Sequence, residues 1–330
     1  MILILKGLPG SGKTTFAGQW LAEDPLKRRR INYDALRRTF MPEEKFNWDD
    51  EQKMKAQAME LARESLTAGH DLIIDNTNLN ERHYQKWVQL ADEFKTPWEV
   101  KFIDTPLHVC VDHDRLREAR VGRAVIEGMA LRNNMIDWED YSLYQGRNFV
   151  IVDVDGTVAN QHARRRHLDV KCLKCGTVNP PRTKKGLCCN DPWTTGPHGV
   201  PVLNGNCGGE VTKKNHDAYF AEAGADTPYD DIIRLVRMLS EEFIPIIVSG
   251  RPDDKCGKIT EDWLLDYGVP FEHLFMRRGG DYQNDDLVKE EILKFLPKER
   301  ISYVIDDRDR VVQMWRKNGL RVLQVANGDF

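Results

Sequence analysis

GLPGSGKT, residues 7–14, follows the apolar run Ile2–Leu5 and precedes a helical pattern that continues to Leu21. This order of strand, glycine-rich turn and helix, with the spacing GxxxxGK[ST], is typical of a loop that binds the phosphates of a nucleoside triphosphate. Glycines let backbone N–H groups point inward, and the positive end of the helix faces the same place. Lys13 is predicted to reach the β- and γ-phosphates and Thr14 to ligate Mg²⁺. The alternative is a glycine-rich turn that arose by chance, but such a turn would not require these two residues. The residues predicted to contact ATP are Gly7, Pro9, Gly10, Ser11, Gly12, Lys13, Thr14 and Thr15.

Length and charge limit the further possibilities. A chain of 330 residues is expected to form about two domains. The formal net charge of -4 gives no global polybasic signature, so any nucleic-acid binding must come from local patches. No apolar stretch is long enough to span a bilayer, and the N-terminus lacks the basic region and cleavage site of a signal peptide. These features predict a cytoplasmic protein with reduced cysteines and no membrane partner.

The first half alternates apolar runs with helical patterns. The runs are expected to be strands that end in polar residues, and this alternation predicts an α/β fold with a parallel, doubly wound sheet. The expected strands after the first are 31–34, 71–75 and 98–103, and the expected helices are 51–68 and 81–94.

Two features of this half have both a catalytic and a structural interpretation. Asp34 is expected at the carboxyl end of a strand, where it could take the proton of an acceptor hydroxyl or cap the next helix. Arg117 and Arg120 are expected on one helix face before a glycine-containing turn. They would form either a lid over the transferred phosphoryl group or an ordinary charged surface.

A second strand-to-turn motif begins after a short linker at 144–147. Residues 148–157 read as a strand that runs into DxDGT. Alternation predicts that Asp153 and Asp155 project from the same side, so that one can attack phosphorus while the other protonates the leaving oxygen. Both are expected to be drawn to Mg²⁺. The alternative is an acidic strand end near a turn.

Later strand ends supply partners for this pair. Ser249 is predicted to hold a phosphate oxygen, and Lys289 to neutralise the nucleophile and the phosphate, although a solvated lysine is the default for an isolated residue. Asp306 and Asp307 are predicted to complete the Mg²⁺ ligands. The predicted boundaries are 1–144 for the first domain and 148–330 for the second, with a cysteine-rich insert at 170–210.

Five of the seven cysteines lie between Cys172 and Cys207. Cys172 and Cys175 have the spacing of a zinc knuckle, and a reducing compartment favours a thiolate–zinc site over a disulfide. Cys188 or Cys189 would join Cys207 as the remaining ligands, with His198 as a possible substitute. The segment is poor in apolar residues, so a structural Zn²⁺ would supply folding free energy. Free thiols or a disulfide are the alternative.

The two halves, in this order, resemble the phage-type polynucleotide 5′-kinase/3′-phosphatase family, in which a P-loop kinase is fused to a haloacid-dehalogenase-like phosphatase. In the first half the resemblance rests on residues 7–15, Asp34, Arg37, the stretch 76–80 and Arg120. In the second half it rests on residues 153–157, Ser249, Arg251, Arg277, Lys289, Asp306, Asp307 and the C-terminus.

The resemblance implies two activities on RNA or DNA ends. The kinase would transfer the γ-phosphate of ATP to a 5′-hydroxyl, with Asp34 as the base and Arg120 stabilising the phosphoryl group in flight. Arg37 and Asn78 would contact the acceptor. A phage-encoded enzyme of this type would work in the host cytoplasm, together with a nucleic-acid ligase and as a possible homo-oligomer.

The phosphatase would remove a 3′-phosphate, with the opening of a 2′,3′-cyclic phosphate as a further activity to be tested. The resemblance makes Asp153 the nucleophile and Asp155 the acid, and it implies that Arg251 and Arg277 grip the nucleic acid. Mg²⁺ would serve both domains. The sequence departs from the family at Asn76, where an aspartate is expected, and in the cysteine-rich insert.

Two other functions fit the same motifs. The first is a small-molecule or nucleoside kinase fused to a phosphatase. The second is a nucleic-acid-binding sensor in which one catalytic half has decayed, although the acid–base residues of both halves are present.

Overall fold

The computed structural model describes residues 1–40, 48–174, 177–178, 194–195, 201–202 and 210–328. The chain divides into two compact units, Met1–Asp137 and Trp138–Phe330. None of the helices in these described ranges is both long and apolar enough to cross a membrane.

The first unit is a parallel α/β domain. Its strands are β1 (Ile2–Lys6), β2 (Arg28–Ile31), β3 (Asp71–Ile74) and β4 (Trp98–Phe102). Its helices are α1 (Lys13–Glu23), α2 (Tyr33–Phe40), α3 (Trp48–Thr67), α4 (Glu81–Glu93), α5 (Leu107–Arg115) and α6 (Arg123–Arg132). The strands pair in parallel in the order β2-β3-β1-β4. The predicted α/β fold with a parallel sheet is confirmed.

The central strand β1 is apolar on both faces because helices cover both faces of the sheet. Ile2 and Ile4 pack with Trp87 on α4. Leu3 and Leu5 pack on the other face, against α1. Since β1 lies between β3 and β4, its carboxyl end opens at the point where the strand order reverses, and ligands bind there in sheets of this kind.

The second unit repeats this architecture with a larger sheet. Its strands are β5 (Phe149–Val152), β6 (Ala159–Asn160), β7 (Thr194–Thr195), β8 (Pro201–Val202), β9 (Thr227–Pro228), β10 (Ile244–Pro252), β11 (His273–Arg277), β12 (Ile301–Asp306) and β13 (Val322–Gln324). Its helices are α7 (Tyr141–Tyr144), α8 (His216–Ala221), α9 (Asp230–Leu239), α10 (Asp253–Asp266), α11 (Asp285–Leu293) and α12 (Asp309–Lys317). The main sheet is parallel in the order β11-β10-β5-β12-β13, with the buried β5 at its centre.

Some predicted element bounds differ from the structure at functionally important places. β2 ends at Ile31, so Asp34 lies in the first turn of α2 and not at the end of a strand. α5 ends at Arg115, so Arg117 and Arg120 do not share a helix face; they lie in the segment that leads to α6. The side-chain hydrogen bonds of Asp114 within this segment, described below, compete with continuation of the helix.

The two ends of the 170–210 segment are held together by antiparallel backbone pairing. The N–H of Leu173 donates to the carbonyl oxygen of Glu210 at 2.8 Å, and the N–H of Thr212 donates to Lys171 at 3.0 Å. Cys172 lies in this pairing and is buried. The other predicted zinc ligands, which are Cys175, Cys188, Cys189, Cys207 and the alternative His198, lie outside the described residues.

Candidate active sites

The glycine-rich loop at the end of β1 has a backbone that requires its glycines. Gly10 has φ +84° and Gly12 has φ +90°, both in the left-handed region that residues with a Cβ rarely adopt. A Cβ on Gly10 would also lie 2.1 Å from the carbonyl oxygen of Cys110. The loop therefore brings the predicted residues Gly7–Thr15 together in front of the first turn of α1, where an anion is favoured.

Lys13 lies under this loop and is only 8% exposed. Its Nζ donates to the carbonyl oxygen of Leu8 at 2.6 Å and lies 3.4 Å from Ser11 Oγ. Burial lowers the pKa of Lys13 to about 8, although the carboxylate of Asp75 opposes the fall. A polyphosphate at the loop would supply the negative charge that favours the ammonium form.

Asp75, at the carboxyl end of β3, is a site residue that sequence reasoning missed. It is 1% exposed, and its Oδ2 accepts a hydrogen bond from the Thr14 hydroxyl at 3.0 Å. Arg30 forms an ion pair with the same oxygen. The carboxylate is therefore held against the residue predicted to ligate Mg²⁺. Oxygen groups of this kind are the ligands that Mg²⁺ prefers.

The two asparagines that follow Asp75 support the local backbone. Asn76 Oδ1 accepts from the N–H of Tyr33 at 3.0 Å, which fixes the start of α2. Asn78 is 3% exposed, and its side-chain amide donates to the carbonyl oxygen of Leu5 at 2.8 Å. The Asn78 side chain is therefore turned towards β1, and its contact with the acceptor stays a prediction.

Asp34 is presented to solvent by a neighbouring ion-pair network. Its side chain is 75% exposed, while Glu51 is almost fully buried on α3. Arg37 connects the two: its Nε and Nη2 donate to Glu51 at 2.8 Å, and its Nη1 donates to Asp34 at 2.5 Å. Fork-to-fork contacts of this kind are geometrically specific. Arg37, which is anchored to the buried Glu51, therefore orients the Asp34 carboxylate.

The arginines that precede α6 lie in a segment fixed by Asp114. This residue is 2% exposed, and its carboxylate accepts from the N–H of Gly122 at 2.8 Å. Arg117 lies 3.7 Å from Asp114 and is close enough to Lys13 that its charge also lowers the pKa of that lysine. Arg120 follows in the same segment and is half-buried.

In the second unit, three carboxylates converge at the carboxyl ends of β5 and β12. One oxygen each of Asp153, Asp306 and Asp307 lies within 4.8 Å of the others. Lys289 on α11 donates to Asp153 at 2.6 Å and to Asp306 at 2.8 Å. All four side chains are buried, so the predicted strand ends and helix start do meet.

This cluster has the charge and donor set of a divalent-cation site. The pKa of Asp153 is raised to about 7: burial is the main cause, the charge of Lys289 opposes the rise, and the carboxylates of Asp306 and Asp307 add to it. Asp307 Oδ2 is buried and has no hydrogen-bond partner among the described residues. A Cβ on Gly156 would lie 2.1 Å from that oxygen, so only glycine leaves it room. Hard oxygen ligands with an unpaired buried lone pair fit Mg²⁺.

Asp155 has different partners from Asp153. Arg251 donates to its Oδ1 through Nη2 at 2.6 Å and Nε at 3.0 Å, and Arg164 forms an ion pair with the same oxygen. Both arginines also bind the buried Asp226, at 2.6 and 2.7 Å. Burial alone would raise the pKa of Asp155, but the two guanidinium groups outweigh it and the pKa is lowered. The Asp155 carboxylate is not among the three carboxylates of the described cluster.

Two arginines expected to grip nucleic acid have internal partners in the second unit. Arg251 is 1% exposed and is held by Asp155 and Asp226. Arg277 is 9% exposed, donates to the carbonyl oxygens of Gly250 at 2.7 Å and Gln283 at 2.6 Å, and pairs with Asp285. Both therefore position other groups.

Ser249 was predicted at the end of a strand, but it lies within β10, which continues to Pro252, beside this network. It is fully buried, and its Oγ accepts from the N–H of Arg251 at 3.2 Å. The hydroxyl proton still has to find an acceptor, as a phosphate oxygen would provide.

Comparison with known proteins agrees with these two sites. Residues 2–136 match the family model of the AAA domain, and residues 209–330 match that of the phosphatase domain of the polynucleotide kinase PNKP. The chain therefore joins a P-loop domain to a haloacid-dehalogenase-like phosphatase domain. The phosphatase domain is of the polynucleotide kinase PNKP type, and the resemblance to polynucleotide kinase/phosphatases is confirmed.

Two curated relatives cover different shares of the chain. A protein of Autographa californica nuclear polyhedrosis virus, described as a bifunctional polynucleotide kinase/RNA ligase, is 20% identical over 96% of this chain and 41% of its own length. A bifunctional polynucleotide phosphatase/kinase of Schizosaccharomyces pombe is 29% identical over 29% of this chain and 19% of its own. The chain thus spans less than half the length of these relatives.

Two solved structures with detectable similarity have low TM-scores. A chain of the Pnkp1/Rnl/Hen1 complex is 22% identical with a TM-score of 0.37, covering 100% of this chain and 97% of that one. A haloacid dehalogenase-like hydrolase from Streptococcus pneumoniae is 13% identical with a TM-score of 0.33, covering 56% of this chain and 87% of that one.

Proposed function

We propose that this protein heals the ends of RNA or DNA by phosphorylating 5′-hydroxyls and removing 3′-phosphates. The observation that carries the proposal is the match of residues 209–330 to the PNKP phosphatase domain, joined to a P-loop unit. The Asp153–Lys289–Asp306–Asp307 cluster and the Thr14–Asp75 pair support chemistry in both units.

In the kinase reaction, Lys13 and the loop N–H groups hold the phosphates of ATP. Asp34 takes the proton of the 5′-hydroxyl, whose oxygen attacks the γ-phosphorus while the bond to the β-phosphate oxygen breaks. Arg37 orients the base, and Arg120 is assigned to the charge on the transferred group. Thr14 and Asp75 would hold Mg²⁺, which neutralises charge on the phosphates when bound.

In the phosphatase reaction, Asp153 attacks phosphorus and the bond to the 3′-oxygen breaks, which leaves an aspartyl-phosphate. Asp155 protonates the leaving oxygen and then deprotonates the water that releases phosphate. Ser249 and Lys289 bind phosphate oxygens. Asp153, the carbonyl of Asp155, Asp306 and Asp307 would hold Mg²⁺, which stabilises charge on the phosphoryl group when bound. Because Arg164 and Arg251 hold Asp155 as a carboxylate, its protonation requires substrate to loosen these contacts.

One short RNA with a 5′-hydroxyl and a 3′-phosphate tests both activities. With ATP and Mg²⁺ present, mass analysis of each end should show a gained 5′-phosphate and a lost 3′-phosphate. A matched DNA oligonucleotide, a nucleoside and a 2′,3′-cyclic phosphate define the substrate range. If neither end changes and the nucleoside is phosphorylated, the small-molecule kinase replaces the proposal. If the RNA binds without turnover, the nucleic-acid-binding sensor replaces the proposal.

Healed ends are substrates for a ligase, which is the proposed functional partner of this protein. A homo-oligomer stays a prediction.

Asp75→Asn is expected to weaken the magnesium response of the kinase. The amide can still accept from Thr14, but the charge that favours a cation is lost. Residues in this supporting position commonly change metal affinity or activity by about 10–100-fold. The measurement is the rate at which 5′ ends are phosphorylated against Mg²⁺ concentration, with Asp92→Asn on the exposed face of α4 as the matched control. An unchanged magnesium response would remove Asp75 from the site, and the phosphatase rate of the same variant reports whether the fold is intact.

We also propose that the 170–210 segment binds a structural Zn²⁺ through Cys172, Cys175, Cys188 or Cys189, and Cys207. Support comes from the turn after Cys172. The N–H of Lys174 donates to the Sγ of Cys172 at 3.4 Å, and the N–H of Cys172 donates to the carbonyl oxygen of Thr177 at 2.9 Å. Hydrogen bonds to sulfur favour the thiolate that zinc requires.

Metal analysis of the purified protein should find about one zinc per chain. Cys172→Ser should lower this content, whereas Cys256→Ser should not, because Cys256 is buried on α10 and its thiol donates to the carbonyl oxygen of Pro252 at 3.3 Å. A fully folded protein without zinc would contradict the proposal.

A further inference from the structure

A cavity of about 380 Å³ lies beside the phosphatase residues, within the second unit. This volume falls in the range of sites that take small ligands, about 300–1,000 Å³. Its polar and aromatic lining residues are Gln161, Arg165, Asp169, Lys214, Tyr219 and Arg308.

The cavity wall is continuous with the groups that hold the acid–base residue. The hydroxyl of Tyr219 donates to Gln161, and the guanidinium of Arg164 lies over the Tyr219 ring at 4.1 Å from its centre. Arg164 in turn pairs with Asp155. Tyr219 is therefore linked to Asp155 through a single guanidinium group.

Another lining residue, Arg308, is next in sequence to the metal-cluster residue Asp307. Its Nη1 pairs with Asp285 at the start of α11. The lining therefore includes a sequence neighbour of Asp307 as well as Tyr219, which contacts the Arg164 that pairs with Asp155.

The charge and chemistry of the lining favour an anion that also carries apolar surface. Three cations, Arg165, Lys214 and Arg308, face one carboxylate, Asp169. Tyr219 adds an aromatic ring and Gln161 an amide. Backbone phosphates pair with Lys and Arg, while aromatic and amide groups contact sugars and bases.

Arg165 and Lys214 come from the two sides of the cysteine-rich segment. The N–H of Asn215, next to Lys214, donates to the carbonyl oxygen of His167 at 2.8 Å. This bond and the pairing of Lys171 with Thr212 bring the two cations to one cavity. The residues that flank the segment thus contribute to the cavity.

We propose that this cavity receives the terminal nucleotide of the strand, with Arg165 and Lys214 contacting the phosphodiester on its 5′ side. The inference rests on the proposed 3′-phosphatase and adds the part of the substrate that this domain recognises. A consequence is that a strand of at least two nucleotides is preferred over a mononucleotide or a small phosphomonoester.

The test compares a dinucleotide 3′-phosphate with p-nitrophenyl phosphate, which lacks the nucleoside and the phosphodiester. The double variant Arg165→Gln/Lys214→Gln should raise the KM for the dinucleotide about tenfold with little change in kcat. It should lower the ratio of the two kcat/KM values by a similar factor. The salt dependence of log KM should become shallower by about 0.7, since the contact with one phosphodiester of a single strand is weakened.

The matched control is Arg166→Gln/Lys213→Gln, which removes the same charge from neighbouring positions. Arg166 pairs with Glu222 on the surface, and Lys213 is exposed. The cavity assignment would be overturned if the test variant lost kcat/KM equally on both substrates, so that their ratio stayed unchanged. It would also be overturned if the control variant lowered the ratio as much as the test variant does. If the wild-type protein hydrolyses p-nitrophenyl phosphate but no 3′-phosphorylated strand, the proposed phosphatase function fails instead.

Discussion

Asp153→Asn is expected to abolish the removal of 3′-phosphates while the phosphorylation of 5′ ends continues at its normal rate. A neutral amide cannot form the aspartyl-phosphate, so the reaction loses its nucleophile and not merely a binding contact. Removal of a nucleophile in other enzymes lowers kcat by up to about 10⁶-fold, and a loss of at least about 10³-fold is expected. Both rates are measured on one oligonucleotide that carries a 5′-hydroxyl and a 3′-phosphate.

The fold of this variant should persist because the charge around Lys289 stays balanced. Lys289 keeps its 2.8 Å contact with Asp306, and the substitution removes repulsion among three buried carboxylates. The midpoint of thermal unfolding, measured for the variant and the wild-type protein, checks this point.

The matched control for the nucleophile is Asp266→Asn, at the exposed end of α10. This variant should retain both activities. Loss of 5′-end phosphorylation in Asp153→Asn would contradict the assignment of the two reactions to separate units. Residual dephosphorylation near the wild-type rate would place the nucleophile elsewhere.

The parts of the fold and site that were predictable from the sequence are those that a short segment determines by itself. Residues 2–14 combine a buried strand, two glycines with positive φ and a helix start, so the loop follows from local backbone geometry. The DxDGT stretch is similar: Gly156 has a positive φ and leaves room for Asp307. The alternation of strands and helices predicted the parallel sheet of the first half.

The residues that sequence reasoning missed act through distant contacts. Arg164 and Asp226 are 62 positions apart and meet only in the folded chain. Neither residue belongs to a local motif that would point to the other. Asp75 had a usable signal, because it directly follows an apolar run beside the phosphate-binding loop, but the prediction centred on the following Asn76.

The sequence did not reveal the internal partners of the two arginines assigned to nucleic acid. Buried carboxylates require compensating charge, and Asp155, Asp226 and Asp285 obtain it from Arg251 and Arg277 in the folded second unit. Whether a strand-end arginine is available to a substrate therefore depends on how many acids surround it, which no single segment reveals. The cations that line the cavity beside the phosphatase site are better candidates for contacts with the strand.

Asp34→Asn is expected to remove the phosphorylation of 5′ ends while ATP binding is retained. The amide cannot take the proton of the acceptor hydroxyl, and the loss of a general base commonly lowers the turnover rate by about 10²–10⁴-fold. ATP should bind as before because Lys13, Thr14 and the loop N–H groups do not depend on this carboxylate. The measurements are the turnover rate of the kinase under saturating ATP and oligonucleotide, and the affinity for ATP by titration.

The position of Asp34 makes this prediction sharp. Its side chain is 75% exposed and contacts Arg37, which remains anchored to Glu51 when the charge is removed. The substitution should therefore change chemistry without unfolding α2, and the phosphatase rate should stay normal. Asp50→Asn, on α3 and paired with Lys53 at 2.8 Å, is the matched control and should phosphorylate 5′ ends normally. Turnover by Asp34→Asn near the wild-type rate would contradict the role of base, whereas weaker ATP binding with an unchanged turnover rate would assign Asp34 to the donor site.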